Sequence, residues 1–447
     1  MKKFDREKAL NKIRLKRKWK EYSKYFYIGI PYVLCGVLGL YFAYSKFFVT
    51  QEDAVVQTKV GDFIYGDVII NNYINGQYAV EAPAQGAGYK VDKIVCDNGA
   101  IGTWDNKDWG PTIANVTKRN KCNVYFIDAE KVKIGNVYVQ LDVYDICPTV
   151  NEDGTVTVTD VESTYGYLCS MKDAYGTSYY YRGNVTNNYV YFAGFYWRII
   201  RINGDGSVRV IYDGTSAHVN GESSSDRQIG IITFNSSYDD NAYVGYMYGT
   251  AGASTYAETH ANKNNSTIKN YLDSWYENNI KGTTNEQYIA DNIFCNDRSF
   301  ADNNSGTGAG TSRTLYRWDN LLYSLSNNKM MLTCPQQNDA FTVSDINKGN
   351  GVLTYGIGLI TADEVALAGG MDSENSNYYL YSGDGYWTMS AERGSDISWE
   401  RFVDLYGSVN GRSVDSSGGC TRPVINLKPE VLLQGTGTVS DPYRLAS

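Results

Sequence analysis

The residues best able to do covalent or metal chemistry in this chain are its cysteines and histidines, and both are few. The sequence holds eight cysteines and only two histidines, His218 and His260. It contains no Cys-x-x-Cys motif, so a tetrahedral zinc site is not expected. Seven cysteines lie beyond an N-terminal apolar run, where an oxidising compartment would favour disulfides. Seven cysteines allow many disulfide connectivities. Pairing neighbours in sequence order favours Cys96–Cys122, Cys147–Cys169 and Cys295–Cys334.

Cys420 is left without a partner in this scheme and is the candidate for thiol chemistry. A catalytic thiol needs a base nearby, often a histidine. The sequence neighbours of Cys420 include Arg422 and Pro423, and a guanidinium can lower the pKa of a thiol but cannot accept its proton. We therefore expect no enzyme activity and no cofactor, and we interpret Cys420 as a small buried apolar residue.

A binding role depends on the stretch Ala391–Gly419, which follows a strand-like segment at 386–390. The stretch mixes Arg, Ser, Asp, Gly, Asn, Trp and Tyr without helix or strand periodicity. Rigid aromatic rings beside adaptable polar groups are typical of paratopes, and Trp, Tyr and Arg dominate binding hot spots. The alternative is an ordinary surface loop with Trp399 packed in the core. The candidate ligand-binding residues are Trp387, Arg393, Asp396, Trp399, Arg401, Tyr406 and Arg412.

The charge of the chain is distributed unevenly, and this limits the kinds of partner. The net charge is −8, but residues 1–24 carry eleven Lys/Arg against three acidic residues, a balance of +8. Residues 50–447 carry 29 Lys/Arg against 46 Asp/Glu, a balance of −17. Because neutralising phosphates requires clustered cations, the acidic part of the chain is not expected to bind nucleic acid.

Residues 25–48 are predicted to form a single transmembrane helix. The run at 25–45 has no formal charge and is long enough to span the roughly 30 Å hydrocarbon core. Because the basic tail at 1–24 precedes it, the positive-inside rule keeps that end cytoplasmic and places the C-terminal domains outside the cell. The alternative, a cleaved signal peptide, is disfavoured because the residues after Leu40 are bulky where a peptidase prefers small ones. Residues 1–20 are interpreted as a topology signal, with a basic amphipathic helix on anionic lipid as the alternative.

The elements that must position the candidate residues are mainly β-strands. The chain has 40 Tyr, a residue favoured in strands and at interfaces. Residues 60–135 are predicted to form a small all-β, sandwich-like domain that acts as a stalk, with strands at 78–80, 89–96 and 122–127. Residues 136–164 are predicted to be a linker.

Residues 165–447 are predicted to form the large domain. Strands are expected at 188–192 and 195–202, and an Asn-Gly-Asp-Gly turn at 203–206 leads into a third strand at 208–212.

Two short helices are predicted within this domain. Ser266 is expected to cap the first, whose apolar stripe has helical spacing. A capping box from Thr361 to Glu364 opens the second, which ends at Gly369. Helices among many short strands predict the α+β class. The apolar stripe of the first helix consists of Ile268, Leu272, Trp275 and Tyr276.

Several sequence blocks in the large domain resemble a known family. They are GFYWRIIRINGDGSVRVIYDG, GIGLITADEVALAGG, YYLYSGDGYWTMS and TRPVINLKPEVLL, followed by GTGTVSDPYRL. Their combination over 165–447 is similar to an uncharacterised family of C-type-lectin-like surface domains of gut-dwelling Gram-positive bacteria. The wider fold group includes formylglycine-generating enzymes and the variable proteins of diversity-generating retroelements. The resemblance implies a head domain in which a twisted sheet and two helices support a long, irregular C-terminal region that presents ligand-binding side chains.

Three functions are compatible with that resemblance. An enzyme of the formylglycine-generating kind would need a second reactive cysteine near Cys420, and the sequence offers none there. Calcium-dependent sugar lectins resemble one another in Glu-Pro-Asn or Gln-Pro-Asp and Trp-Asn-Asp motifs, which are absent from this sequence; Asp372, Glu374 and Asp384 supply carboxylates but no ordered ligand loop. The favoured function is a cell-surface adhesin or receptor for an extracellular glycan or protein.

A sharper hypothesis is that the terminal region is diversified. In retroelement-diversified proteins, Asn codons are rewritten to give residues that include Ser, Asp, Ile and Cys. This suits the run at 395–398 and the stray Cys420, although ordinary drift would also give these residues. A template repeat and a reverse-transcriptase gene are expected beside the coding sequence, and their absence would end the hypothesis.

Overall fold

The structure is a computed structural model with two compact units, Met1–Asp128 and Ala129–Ser447. Within its described part, no helix combines the length and apolar character needed to cross a membrane. The predicted transmembrane helix at 25–48 lies outside the described residues. The residues that the structure describes are 12, 14–20, 68–84, 89–105, 109–116, 119–128, 131–135, 137–140, 147–158, 166–321, 329–371 and 373–445.

Apart from the helical residues 12 and 14–20 of the basic tail, the described part of the first unit consists of strands and turns between residues 68 and 128. Its strands are β1 (Ile69–Ile74), β2 (Gln77–Ala79), β3 (Tyr89–Cys96), β4 (Ile101–Asp105), β5 (Gly110–Ala114) and β6 (Lys121–Asp128). One sheet has the order β2–β1–β6–β3, in which only β1 and β6 run parallel, and β4 and β5 form a separate hairpin. The strand predicted at 89–96 is β3, with the same bounds.

The core of the first unit lies on one face of this sheet. Val124 and Phe126 alternate along β6 and are fully buried beside Ile70 of β1. The β4–β5 hairpin contributes Trp104, whose ring meets that of Phe126 edge-on at a centroid distance of 5.2 Å. In the described residues between 68 and 128, one sheet is therefore covered by a hairpin, which differs from the sandwich-like arrangement predicted.

The second unit is strand-rich and contains four helices in its described part. Its helices are α1 (Tyr256–Thr259), α2 (Thr267–Asn279), α3 (Arg317–Leu321) and α4 (Ala362–Ala368). Its strands are β7 (Lys131–Ile134), β8 (Val137–Gln140), β9 (Val156–Thr157), β10 (Gly166–Lys172), β11 (Thr177–Gly183), β12 (Tyr189–Phe192), β13 (Phe195–Ile202), β14 (Val208–Gly214), β15 (Met247–Tyr248), β16 (Asn264–Asn265), β17 (Phe294–Cys295), β18 (Thr314–Leu315), β19 (Lys329–Met330), β20 (Ala340–Phe341), β21 (Ile357–Gly358), β22 (Tyr386–Gly394), β23 (Trp399–Val403), β24 (Val409–Ser413) and β25 (Val424–Leu427).

The larger sheet of this unit has the order β10–β11–β13–β14–β25–β21, with β12 beside β13. Strand β13 has the predicted bounds, and the predicted turn after it is closed by Gly206 N–H donating to the carbonyl of Asn203 at 2.8 Å. All seven residues of β14 are buried. The sheet is therefore covered on both faces, and the charged Arg209 lies inside it.

Both predicted helices are present, as α2 and α4. The Ser266 hydroxyl accepts a hydrogen bond from Lys269 N–H at the start of α2. Thr361 and Glu364 form the predicted capping box at the start of α4. At the other end of α4, the guanidinium of Arg182 donates to the last-turn carbonyls of Ala366 and Leu367, and Ala366 also accepts the capping hydrogen bond from Gly369 N–H.

A smaller sheet has the order β18–β22–β23–β24 and crosses the stretch Ala391–Gly419. The expectation that this stretch is irregular is wrong, because three antiparallel strands run through it. The sequence does not show the polar–apolar alternation of a half-exposed strand here, because β23 is buried although it carries charged side chains. Glu400 and Arg401 are both almost fully enclosed. Sequence periodicity identifies strands only when the polar side faces water.

Part of the predicted linker at 136–164 is packed into the second unit. Strand β9 pairs with β19, and Val156 and Val158 are fully buried in the large core. Ile134, at the end of β7 and inside the predicted stalk domain at 60–135, is buried in the same core. Apolar residues in a polar stretch are sufficient to hold these short segments against the unit.

The three disulfides predicted from sequence order are confirmed. They join elements within a unit and close short chain loops. Their Cα–Cα distances are 4.0 Å for Cys96–Cys122, 5.5 Å for Cys147–Cys169 and 5.6 Å for Cys295–Cys334.

Candidate binding surface

Two of the seven predicted ligand-binding residues are part of the core. Trp387 is fully buried, donates its indole N–H to the Ile232 carbonyl at 2.7 Å and packs edge-on against Phe402. Arg401 is also buried and donates to the Trp318 carbonyl at 2.6 Å. Neither side chain is available to a ligand, because each hydrogen-bonds to the protein interior.

The exposed members of the predicted set lie at opposite ends of β23. Asp396 is exposed in the loop between β22 and β23, whereas Tyr406, 54% exposed, is at the turn between β23 and β24. Five residues of extended chain separate the two turns, which is about 13 Å along the strand. The predicted residues therefore do not form one site. The β23–β24 turn is built on Asp404, whose carboxylate accepts hydrogen bonds from two backbone N–H groups of the turn.

Near Asp396, three chain segments are joined by hydrogen bonds. Ser398 N–H donates to the Tyr238 carbonyl at 2.7 Å, and Val414 N–H donates to the Ser398 carbonyl at 3.0 Å. Asn235 N–H then donates to the Val414 carbonyl at 2.9 Å, and the Ser398 hydroxyl, which is buried, donates to the Asp240 carbonyl at 2.6 Å. Four bonds between loops that are distant in sequence hold their backbones in one arrangement.

These loops carry a set of partly exposed aromatic, apolar and charged side chains. Tyr238 is 42% exposed and Ile397 is 43% exposed, and they lie on neighbouring, hydrogen-bonded loops. We define the three-loop surface as Tyr238, Asp239, Asp396 and Ile397 on two of these loops, together with Arg393 and Trp399 at the adjoining strand ends.

Arg393 and Trp399 are direct cross-strand partners on this surface. The guanidinium carbon of Arg393 lies 5.4 Å from the Trp399 ring centroid, and its nitrogen is 3.1 Å from Asp319 and 2.6 Å from Glu392. Two carboxylates and an aromatic ring thus orient Arg393, while about a third of its side chain remains in solvent. Such prior ordering reduces the entropy lost on binding.

Arg412, the last predicted residue, is half-buried on a different part of the small sheet. Its guanidinium lies 4.5 Å from the Phe402 ring centroid and donates to the Ser417 carbonyl at 3.1 Å. Since Phe402 and Trp399 differ by an odd number of positions on β23, their side chains point to opposite faces. Arg412 is therefore not part of the three-loop surface.

Sequence reasoning missed a buried acidic residue beneath the surface. Glu400 is fully enclosed, and neither carboxylate oxygen has a hydrogen-bond partner. Burial raises the pKa of Glu400 well above its usual value, with Glu392 adding to the rise and Arg298 opposing it. A single Glu in a short strand gives no sign in the sequence that it will be buried. The burial also depends on a neighbouring strand, where Gly411 has no side chain and so leaves room for the carboxylate of Glu392, which acts on Glu400.

Cys420 and the possible metal ligands are the other candidates for chemistry. Burial raises the pKa of the Cys420 thiol to about 11, which keeps it protonated at neutral pH. The described residues contain no cluster of three His, Cys, Asp or Glu that could hold a metal ion.

A cavity near the start of α4 is lined by charged groups that include Arg201, Arg317 and Glu364. Its volume is about 20 Å³, which is room for one water molecule. This cavity is too small for a substrate.

Comparisons of the chain with protein-family models, with curated proteins and with solved structures found no match.

Proposed function

We propose that the chain is a cell-surface adhesin or receptor whose C-type-lectin-like head, residues 165–447, binds an extracellular glycan or protein through the three-loop surface. The observation that carries this proposal is the hydrogen-bonded junction at Ser398, which fixes Tyr238 and Ile397 in solvent. Exposed large apolar groups beside an oriented Arg and Trp are the composition of binding hot spots.

The placement at the cell surface is supported by the disulfides and by the N-terminal sequence. Disulfides persist in oxidising compartments, and each of the two units contains at least one. The uncharged run at 25–45 after a basic tail supports a single membrane span with the N-terminus in the cytoplasm.

A binding role is better supported than catalysis. The free thiol that a formylglycine-generating enzyme would use belongs to Cys420, which is buried and has a raised pKa. The chain's other described cysteines are paired in disulfides, so a second thiol for copper binding is not available beside it.

The diversification hypothesis applies best to three exposed or partly exposed positions. Ser395 is partly exposed, and Asp396 and Ile397 are exposed, on the loop of the three-loop surface, whereas Ser398 and Cys420 are buried. Rewriting Asn codons at the first three positions would alter the surface without disturbing the fold. A diversified family of this chain should therefore vary at 395–397 and retain Ser398.

The experiment is binding of the full-length protein in nanodiscs to glycan and protein arrays. Tyr238→Ala with Ile397→Ala should weaken binding to any ligand found by about tenfold or more, since hot-spot truncations cost more than about 1 kcal/mol each. The matched control is Tyr406→Ala with Leu405→Ala, a somewhat more exposed aromatic and aliphatic pair at the other turn. Loss of binding in the control pair alone would move the site to the β23–β24 turn and contradict the proposal.

A further inference from the structure

The described part of the basic tail is a helical segment at 14–20 with the sequence RLKRKWK. It contains five cations and no acidic residue. Its two apolar side chains are both exposed, Leu15 at 63% and Trp19 at 77%. A large aromatic ring so exposed on a cationic helix is a candidate contact for a partner.

The helical spacing places these two side chains together. Leu15 and Trp19 are four residues apart, so they lie on the same side of the helix, while Arg17 falls on the opposite side. Lysine and arginine side chains can extend their charged ends past such an apolar side. A short helical segment is marginal by itself in water, so burial of Leu15 and Trp19 against a surface would stabilise residues 14–20.

We infer that residues 14–20 lie on an anionic phospholipid surface, with Leu15 and Trp19 inserted between headgroups and the surrounding cations at the phosphates. The cationic charge of the segment complements anionic headgroups, and Trp favours the membrane–water interface. The segment ends five residues before the uncharged run that begins at Tyr25. The inference rests on the membrane anchor of the proposed function and not on the ligand-binding surface.

The test uses the full-length chain in nanodiscs and reads hydrogen exchange in a peptide covering 14–20. In discs of phosphatidylcholine mixed with phosphatidylglycerol, these amides should be protected, and the protection should fall at high salt. In discs of phosphatidylcholine alone, the amides should exchange rapidly. Each cation near an anionic surface contributes about fivefold to binding, so Lys16→Glu with Lys18→Glu should reduce protection at least tenfold, roughly.

A second variant separates the apolar contribution. Leu15→Ser with Trp19→Ser should also reduce protection, because insertion of both side chains is lost. The control is Ile346→Ser, which removes an exposed apolar side chain from the second unit and should leave exchange at 14–20 unchanged.

Three outcomes would overturn the inference. Equal exchange in both kinds of disc would show that anionic lipid does not order the segment. Protection by added duplex DNA in phosphatidylcholine discs, without protection by phosphatidylglycerol, would assign the cations to nucleic acid. Failure of the chain to enter nanodiscs would refute the membrane anchor itself, a result distinct from the other two.

Discussion

The two units of this protein stabilise their sheets by different means. In the first unit the sheet buries one face, and its fully enclosed apolar core is small. In the second unit the larger sheet is covered on both faces and contains arginines paired with carboxylates. One chain thus uses both an open sheet with surface aromatic contacts and a closed sheet with internal ion pairs.

The open face of the first sheet carries a row of side chains across all four strands. Tyr78, Tyr73, Tyr125 and Lys93 are successive cross-strand partners. The rings of Tyr73 and Tyr125 stack at 5.0 Å, and the ammonium of Lys93 lies 5.2 Å from the Tyr125 centroid. Cross-strand aromatic pairs of this kind stabilise a sheet by about 0.2–1 kcal/mol each.

The closed sheet depends instead on Asp213, which is fully buried at the end of β14. One carboxylate oxygen accepts hydrogen bonds from Arg227 and Arg422, both at 2.7 Å, and the other lies 4.0 Å from Arg198. Three buried guanidinium groups thus share one carboxylate. Burial lowers the pKa values of Arg198 and Arg422, and Asp213 opposes that effect.

The largest effect is expected from Asp213→Asn. The substitution keeps the side-chain shape but leaves three buried cations without their shared counterion, which should cost about 3–5 kcal/mol of the unfolding free energy. Chemical denaturation of the purified protein measures this loss. Asp239→Asn, at an exposed position, is the control and should change stability by less than about 0.5 kcal/mol. A small effect of Asp213→Asn would show that hydrogen bonds to carbonyls alone support the arginines.

A smaller effect is expected when the Cys96–Cys122 disulfide of the first unit is removed by Cys96→Ala with Cys122→Ala. The loop it closes spans 26 residues, so the chain-entropy relation gives a loss of about 3.5 kcal/mol. Hydrogen exchange should show this loss in amides of residues 69–128 and not in the second unit. If both units lost protection equally, they would unfold together, and the contrast between them would not hold.

The same contrast explains which parts of the fold could be predicted from sequence. Strand β3 alternates between solvent and a one-sided core, so its bounds were predicted correctly. Helix α4 was found from its capping box, a local hydrogen-bond pattern that needs no tertiary context. The three disulfides followed from sequence order alone.

The candidate site was only partly predictable. Asp396, Arg393 and Trp399 were chosen by residue type and do lie on the three-loop surface, but Tyr238 was missed. Its contribution depends on a hydrogen bond between segments 160 positions apart in sequence, Ser398 N–H to the Tyr238 carbonyl. Arg401 was misassigned because a charged residue was expected in solvent, whereas in this fold the interior supplies its partners.

The smallest effect expected is a pH dependence confined to the second unit, from His218. The imidazole Nε2 lies 2.7 Å from Asp226 and Nδ1 lies 3.0 Å from Glu222. Burial acts to lower the pKa of His218, but the two carboxylates outweigh it and raise the pKa above 6.5. The stabilisation is thus fully present below pH 6.5 and is lost as the pH rises through the raised pKa. The effect is modest, because about half of the Glu222 side chain is in solvent.

His260 gives the control of opposite sign. Burial, assisted by Arg298, lowers the pKa of His260 well below 6.5, so this residue destabilises the fold as the pH falls below 6.5. Denaturation series across pH should therefore show that His218→Gln removes a loss of stability on the alkaline side, whereas His260→Gln removes one on the acid side. The two variants, rather than the wild-type series alone, assign each slope to its histidine. An unchanged alkaline slope in His218→Gln would mean that the imidazole is already neutral between its two carboxylates.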